Sequence, residues 1–301
     1  MEYRYAIGNG DMEWIQLVNP SELERENIIK SYNIPRDYIQ DVFDPYEVPR
    51  VEGLEGDKPP LFVFSYPIKS SETEYITRVV AIILLENTVI TVRSEDSQVF
   101  DDLKEYALNN IKDKKDLDSM IVELAWSISK KYNFYIKEID EQIQDFEDKI
   151  RNSTKTEFLQ AMIEIQRALI YFRTGINENG LVIHKLSKLN YIVDTEKGSM
   201  LMHDLLKENK QAQIMIDTAV DMLENLTDLY SNVISNNLNT VMKVLTSITI
   251  VLTIPSIVGA LWGMNTKLPI GNHPYAFWYL LSLIVVLSLI IVYVLRKNDY
   301  L

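Results

Sequence analysis

The chain has 301 residues with 30 basic and 43 acidic side chains, no cysteine and three histidines. Disulfides, thiolate metal sites and cysteine nucleophiles are thereby excluded, and His184, His203 and His273 are too scattered for a zinc site of the usual His/Cys kind. The final 59 residues hold four of the basic and one of the acidic side chains, which leaves 26 basic against 42 acidic in 1–242, a body of net charge −16 that repels phosphates and excludes nucleic acid as a partner.

The N-terminal stretch MEYRYAIGNGDMEW has no basic region followed by an apolar run, so no cleavable signal peptide is expected and the body is expected to remain cytoplasmic. Met12–Val18 reads as a strand. Asn19-Pro20-Ser21-Glu22 reads as a helix start, with Asn19 as the cap and proline in the first turn, and the helix runs to about Tyr32. Pro35 opens a second short helix that ends near Asp44-Pro45. Leu61–Ile68, Tyr75–Leu85 and Thr88–Arg93 are rich in β-branched and aromatic residues and read as strands, with a tight turn at Glu86-Asn87. Ser97–Asn110 is helical again. The expectation for 1–112 is an α+β cytoplasmic domain with a largely antiparallel sheet.

From about Lys115 the period lengthens. Leu117, Ile121, Leu124, Ile128, Tyr132, Tyr135, Ile139, Ile143, Phe146 and Ile150 recur three, four or seven residues apart, the mark of a long amphipathic helix over about 115–151. Asn152-Ser153-Thr154 breaks it, and Thr154 with Glu157 offers a capping box for a second helix over about 155–190, weakened locally by Gly175 and Gly180. Asp194–Gly198 is the next break. After Ser199 no proline appears until Pro255, so 199–262 reads as one helix, on the order of 96 Å long at ~1.5 Å per residue. Residues 113–242 are thus expected to form a helical stalk.

Residues 243–301 differ again. No charged residue occurs in 244–264 or in 275–295, and about 20 such residues cross a bilayer core of roughly 30 Å as a helix. Two of them joined by a short connection read as a transmembrane hairpin. Lys243, Arg296 and Lys297 flank its outer ends, which places both chain termini on the cytoplasmic side of the plasma or inner membrane. In the first span Thr246, Thr249, Thr253 and Ser256 share one face, which extends back through Met242 and Asn239 and forward through Ala260 to Gly263. Two readings fit the stripe. Its hydroxyls bond carbonyls four residues back or glue neighbouring helices, or they line a water-filled path, which requires several chains. The second span is mainly Leu, Ile and Val, with Trp278, Tyr279 and Tyr293 near its ends as interfacial anchors.

Gly263-Met264-Asn265, closing a long proline-free helix and opening a short loop before a second span, resembles the signature of the CorA family of magnesium channels. Asn239 to Thr246 is similar to that family's start of the pore helix, and Pro49-Arg50-Val51-Glu52 to its Arg-Pro-x-Val-Glu segment. The resemblance covers essentially the whole chain. It implies a funnel-shaped homopentamer in which Gly263, Met264 and Asn265 ring the outer mouth as selectivity filter. Asn239, Met242, Leu245, Thr246, Thr249, Thr253, Ser256 and Ala260 would line the pore, with Met242 and Leu245 as its constriction. Asp41 and Asp204 would hold regulatory magnesium between subunits. Mg2+ is the implied transported and regulatory ion, with Co2+ or Ni2+ as alternative transported ions. The loop after Asn265 carries Lys267 and no acid, where many relatives carry a glutamate.

The leading expectation is passive uptake of divalent cations, chiefly magnesium, across a lipid bilayer, shut by cytosolic magnesium. Carboxylates and amides, the metal ligands this chain offers, suit such hard ions. A zinc or other divalent-cation transporter of the same fold, and a non-conducting membrane-anchored cation sensor, are the alternatives. No nucleophile–base constellation or phosphate loop suggests an enzyme.

Overall fold

Strands buried on both faces need apolar residues at nearly every position, and the central strands here have them. In a computed structural model, which describes residues 1–71, 74–150, 156–189, 196–264, 273–298 and 300, six strands form one sheet: β1 (Glu2–Ile7), β2 (Met12–Val18), β3 (Arg50–Glu52), β4 (Leu61–Lys69), β5 (Tyr75–Leu84) and β6 (Thr88–Arg93). Their order is β1-β2-β6-β5-β4-β3, and every pair is antiparallel except β2 with β6. Alternate residues of β4 show why its first four residues, LFVF, are all apolar. Leu61 and Val63 join the core beneath α1 (Glu22–Tyr32) and α2 (Asp37–Gln40), together with Ile28, Tyr38, Ile39 and Ile83. Phe62, Phe64 and Tyr66 point to the other face and are equally buried.

β1 and β3 were not expected. β1 is an edge strand reached through a turn in which Gly8 and Gly10 take positive φ (65° and 96°). β3 is too short to show a period, and pairs only with Leu61–Val63.

The start of α1 also differs from expectation. Ser21, not Asn19, is the cap: its Oγ accepts from Glu24 N–H at 3.3 Å while the Glu24 carboxylate accepts from Ser21 N–H at 2.7 Å. This reciprocal box satisfies two orphan amides, whereas an Asn19 cap satisfies one. Asn19 sits outside the helix at φ 41° and donates its N–H to the Arg93 carbonyl, so Pro20 precedes the helix instead of opening it. Leu85 N–H donates to the Thr88 carbonyl and closes the turn expected at Glu86-Asn87.

Among the described residues four further α-helices follow α3 (Gln98–Asn110): α4 (Ser119–Ile150), α5 (Thr156–Leu186), α6 (Glu196–Trp262) and α7 (Ala276–Lys297). α4 starts later than its period suggests, because Asp113 and Asp116 cap a 3-10 turn over Lys114–Asp116. α6 starts earlier, at Glu196, so Gly198 lies inside it. Asn152, Ser153, Thr154 and Asp194, expected as breaks, lie outside the described residues. The helix of 67 residues runs on through Pro255, at the loss of the one N–H that proline lacks.

Gly175 and Asn179 fix α5 on the sheet. A Cβ at Gly175 would lie 2.4 Å from the Tyr132 hydroxyl and 2.8 Å from Ser65 Oγ, so glycine there permits close approach. One turn on, Asn179 Oδ1 accepts from Ser65 N–H at 2.8 Å and Nδ2 donates to the Ser65 carbonyl at 2.7 Å. The amide takes the place of a neighbouring strand where β3 has ended. Tyr132 Oη, 3.0 Å from Ser65 Oγ, completes the knot, and burial pushes its pKa up so that it remains a neutral phenol.

The chain separates into two units, Met1–Leu226 and Thr227–Leu301. The first holds the sheet. The second holds the later part of α6 and all of α7, both long and apolar enough to cross a membrane.

Candidate ion pathway and its control site

Within the two apolar spans the less exposed positions follow helical spacing. On α6 they include Ser247, Val251, Ile254 and Val258, and on α7 Leu280, Ile284, Ser288, Ile291 and Leu295. These are the faces that the two helices turn toward each other. At about 100° per residue, the stripe through Met242, Thr249, Thr253, Ser256 and Ala260 lies roughly 160° further round α6. It therefore points away from α7, and Asn239, Met242, Leu245, Thr246, Thr249, Thr253, Ser256 and Ala260 are all exposed in the single chain.

Three hydroxyls of the stripe are satisfied within their own helix. Thr249 Oγ1 donates to the Leu245 carbonyl at 2.8 Å, Thr253 Oγ1 to Thr249 at 2.7 Å and Ser256 Oγ to Leu252 at 3.1 Å. Each proton is directed inward along the helix, which leaves the oxygen lone pairs on the open side. The two readings of the stripe are thus compatible: back-bonding to the helix is what makes the outward surface an acceptor surface.

At the far end of α6, Gly263 N–H donates to the Gly259 carbonyl at 2.9 Å and Met264 N–H to Leu261 at 3.4 Å. Asn265 and Lys267 lie outside the described residues. Beyond them His273 Nδ1 accepts from Tyr275 N–H at 3.3 Å at the entry to α7.

The two candidate regulatory acids lie in the first unit. Asp41 opens a 3-10 turn after α2 (Asp41–Phe43), and its Oδ2 accepts from Arg50 Nη2 at 3.1 Å. Arg50 also pairs with Glu52 at 2.5 Å and with Glu47, so one guanidinium serves three carboxylates. Sequence reasoning had matched Arg50 to a family segment without seeing it as the partner of Asp41. Asp204 stands exposed on α6. Among the described residues no group of three or more His, Asp or Glu side chains is placed to hold a metal within one chain. The knot at Asn179 was also missed, although an amide between Ile176 and Ile183 on the buried face of α5 was a readable signal.

A family model described as CorA-like Mg2+ transporter protein matches residues 9–297 of this chain. The chain is 23% identical over 291 residues to the cobalt/magnesium transport protein CorA of Methanocaldococcus jannaschii, spanning 95% of this chain and 90% of that protein. Its fold is similar to the complete structure of the CorA magnesium transporter from the same organism, with a TM-score of 0.84 at 22% identity, covering 97% of this chain and 92% of that one. Full-length CmaX matches with a TM-score of 0.72 at 17% identity over 95% of this chain and 88% of that one. The cytoplasmic domain of ZntB from Vibrio parahaemolyticus RIMD 2210633 matches with 0.58 at 13% identity over 73% of this chain and 87% of that domain.

Proposed function

This chain belongs to the CorA-like Mg2+ transporter family, and from that premise we propose that it is a membrane channel for passive uptake of divalent cations, chiefly magnesium. The observation that carries the reading is the stripe on α6, exposed, turned away from α7 and presenting hydroxyl oxygens whose protons are already used. Magnesium gives up its water reluctantly, and the hydrogens of its water shell point outward. Such an ion needs acceptors along its path, and this stripe supplies them.

One helix encloses nothing, so the path requires several copies, and a homopentamer with α6 inside and α7 toward lipid satisfies both faces. Residues 1–112 and 113–242 form the cytoplasmic body, 243–301 form the hairpin in the plasma or inner membrane, and both termini are cytoplasmic. Gly263, Met264 and Asn265 ring the outer mouth, where amide and backbone oxygens hold the ion through its water shell. A divalent ion gains about 4.6 kcal/mol per 100 mV on entering a negative interior. Met242 and Leu245 form an apolar constriction that closes by dewetting.

Control comes from Asp41 and Asp204, which hold magnesium between neighbouring subunits. With the ion bound, the carboxylates are bridged and the closed arrangement is held. When cytosolic magnesium falls, they repel and the subunits loosen. The M. jannaschii relative is named for cobalt and magnesium, which supports Co2+ as a second transported ion beside Mg2+; Ni2+ is a third candidate.

The test is ion flux into proteoliposomes with magnesium, cobalt, nickel and zinc, for the parent and Asn265→Ala. We expect magnesium flux in the parent and at least a tenfold loss in the variant. Flux indifferent to Asn265 removes the filter assignment. Zinc flux with no magnesium flux favours a zinc transporter of the same fold, and no flux for any ion favours a membrane-anchored cation sensor.

A further inference from the structure

Ser247 departs from the hydroxyls around it. Thr249, Thr253 and Ser256 bond carbonyls four residues back in their own helix, and all three are exposed. Ser247 is fully buried (0% exposed), and its Oγ donates to the Tyr300 carbonyl at 3.1 Å. Two further bonds bring Tyr300 to it. Tyr300 N–H donates to the Leu295 carbonyl at 3.0 Å, which turns the chain back after α7, and Asn298 Nδ2 donates to the Val294 carbonyl at 2.8 Å. The Lys243 ammonium stands 5.6 Å from the centroid of the Tyr300 ring, within reach of a cation–π attraction.

The placement around α6 gives these contacts a meaning. Lys243 and Ser247 are four residues apart and share one face. Met242 and Leu245 occupy the same turn on the other side, roughly 100–160° round the helix. Tyr300 therefore lies behind the segment whose front carries the proposed constriction. To widen that constriction, each α6 must move back from the axis, into the space that Tyr300 occupies.

We propose that Ser247 and Tyr300 are positioning residues: the chain after α7 latches the back of α6 at the level of Met242 and Leu245 and opposes opening. The inference rests on the channel reading above. The latch adds to the resistance that regulatory magnesium supplies, so its loss shifts the magnesium concentration needed for closing without altering the filter.

The experiment compares magnesium flux in proteoliposomes for the parent, Ser247→Ala, Ser247→Thr and Tyr300→Ala, as a function of magnesium on the cytoplasmic side. The half-closing concentration rises about fivefold in Ser247→Ala, the factor expected for one lost hydrogen bond, and returns toward the parent in Ser247→Thr, which keeps the donor. Preference among magnesium, cobalt and nickel is unchanged, which a general loss of structure does not leave intact. Because the chain has no cysteine, Ser247→Cys with Tyr300→Cys can be joined by a short reducible bis-thiosulfonate cross-linker. Joining lowers flux at low magnesium and reduction restores it, a comparison of one protein with itself that holds even where Ser247→Ala fails to fold. Equal half-closing concentrations in parent and Ser247→Ala, or flux untouched by a verified cross-link, overturn the latch. A parent with no flux removes the channel reading first, and the latch with it.

Discussion

The first unit hides its apolar side chains and the second displays them. In Met1–Leu226 the central strands are buried on both faces and several polar intruders are paired: Trp14 Nε1 donates to Thr91 Oγ1 at 3.1 Å, Arg93 Nη1 donates to Gln16 at 2.8 Å, and Asn179 completes Ser65. In Thr227–Leu301 only Tyr230, Ser247 and Leu295 are buried among the described residues, and 6% of the most apolar window of each long helix is covered. The difference is one of solvent. In water an apolar side chain gains by leaving the surface. In lipid it gains nothing by doing so, and what must be hidden is the backbone, which a helix satisfies within itself. Thr249, Thr253 and Ser256 of α6 obey the same rule by donating to carbonyls one turn back in their own helix.

The same substitution, asparagine to alanine, is expected to act very differently in the two units. Asn179→Ala leaves the N–H and carbonyl of Ser65 buried without partners, and we expect a loss of about 2–4 kcal/mol of stability. Gly175→Ala, whose new methyl meets the Tyr132 hydroxyl, is expected to cost about 1–3 kcal/mol through overpacking. Asn239→Ala changes an exposed amide on α6 and is expected to stay within about 0.5 kcal/mol. Denaturant unfolding of the detergent-solubilised protein, followed by tryptophan fluorescence, measures all three. A loss at Asn239 equal to that at Asn179 shows that the two amides do the same work, and the distinction drawn between the regions fails.

A second prediction asks whether a change in the first unit is read in the second. Asp41→Ala with Asp204→Ala is expected to raise the magnesium concentration for half-closing at least tenfold, with the unfolding midpoint close to the parent's. Arg50 keeps Glu47 and Glu52 when Asp41 is removed, so the local ion pairs persist. Closing at the parent's concentration rejects these two residues as the control site.

The sequence foretold most where one force acts alone. Strands β2, β4, β5 and β6 follow from composition and period, and each end stands within one residue of where the pattern put it. Cases where two forces compete were not legible. Asn19 and Ser21 are both good caps, and only the reciprocal bond to Glu24 decides between them. Gly175 reads as a weak point in a helix until Tyr132 and Ser65 are found against it. Ser247 resembles its neighbours until its partner is found 53 residues away. Contacts between distant segments carry no local period, so no local pattern announces them.

At the entry to α4, Asp118 is a half-buried carboxyl of the first unit whose contribution to stability depends on pH. The side chain is half-buried beside a cavity of about 590 Å³ whose charged lining is Asp57, Lys58 and Glu86. Glu86 is held by Lys114 at 2.9 Å. Burial alone pushes the Asp118 carboxyl up to about 6 from 3.8. The folded state therefore keeps a proton that the unfolded chain has already released, and this proton favours the fold in acid. The contribution is complete below pH 3.8, declines as pH rises to about 6, and is absent above it. Asp118→Asn keeps the shape and cannot ionise. Relative to the parent it should be neutral near pH 3.8 and more stable by roughly 1 kcal/mol at pH 7.5, after allowing for solvent screening of a half-exposed group. Unfolding midpoints at the two pH values give the answer. An equal difference at both pH values removes ionisation as the cause. A parent more stable than Asp118→Asn at pH 7.5 means that the carboxylate has found a cation.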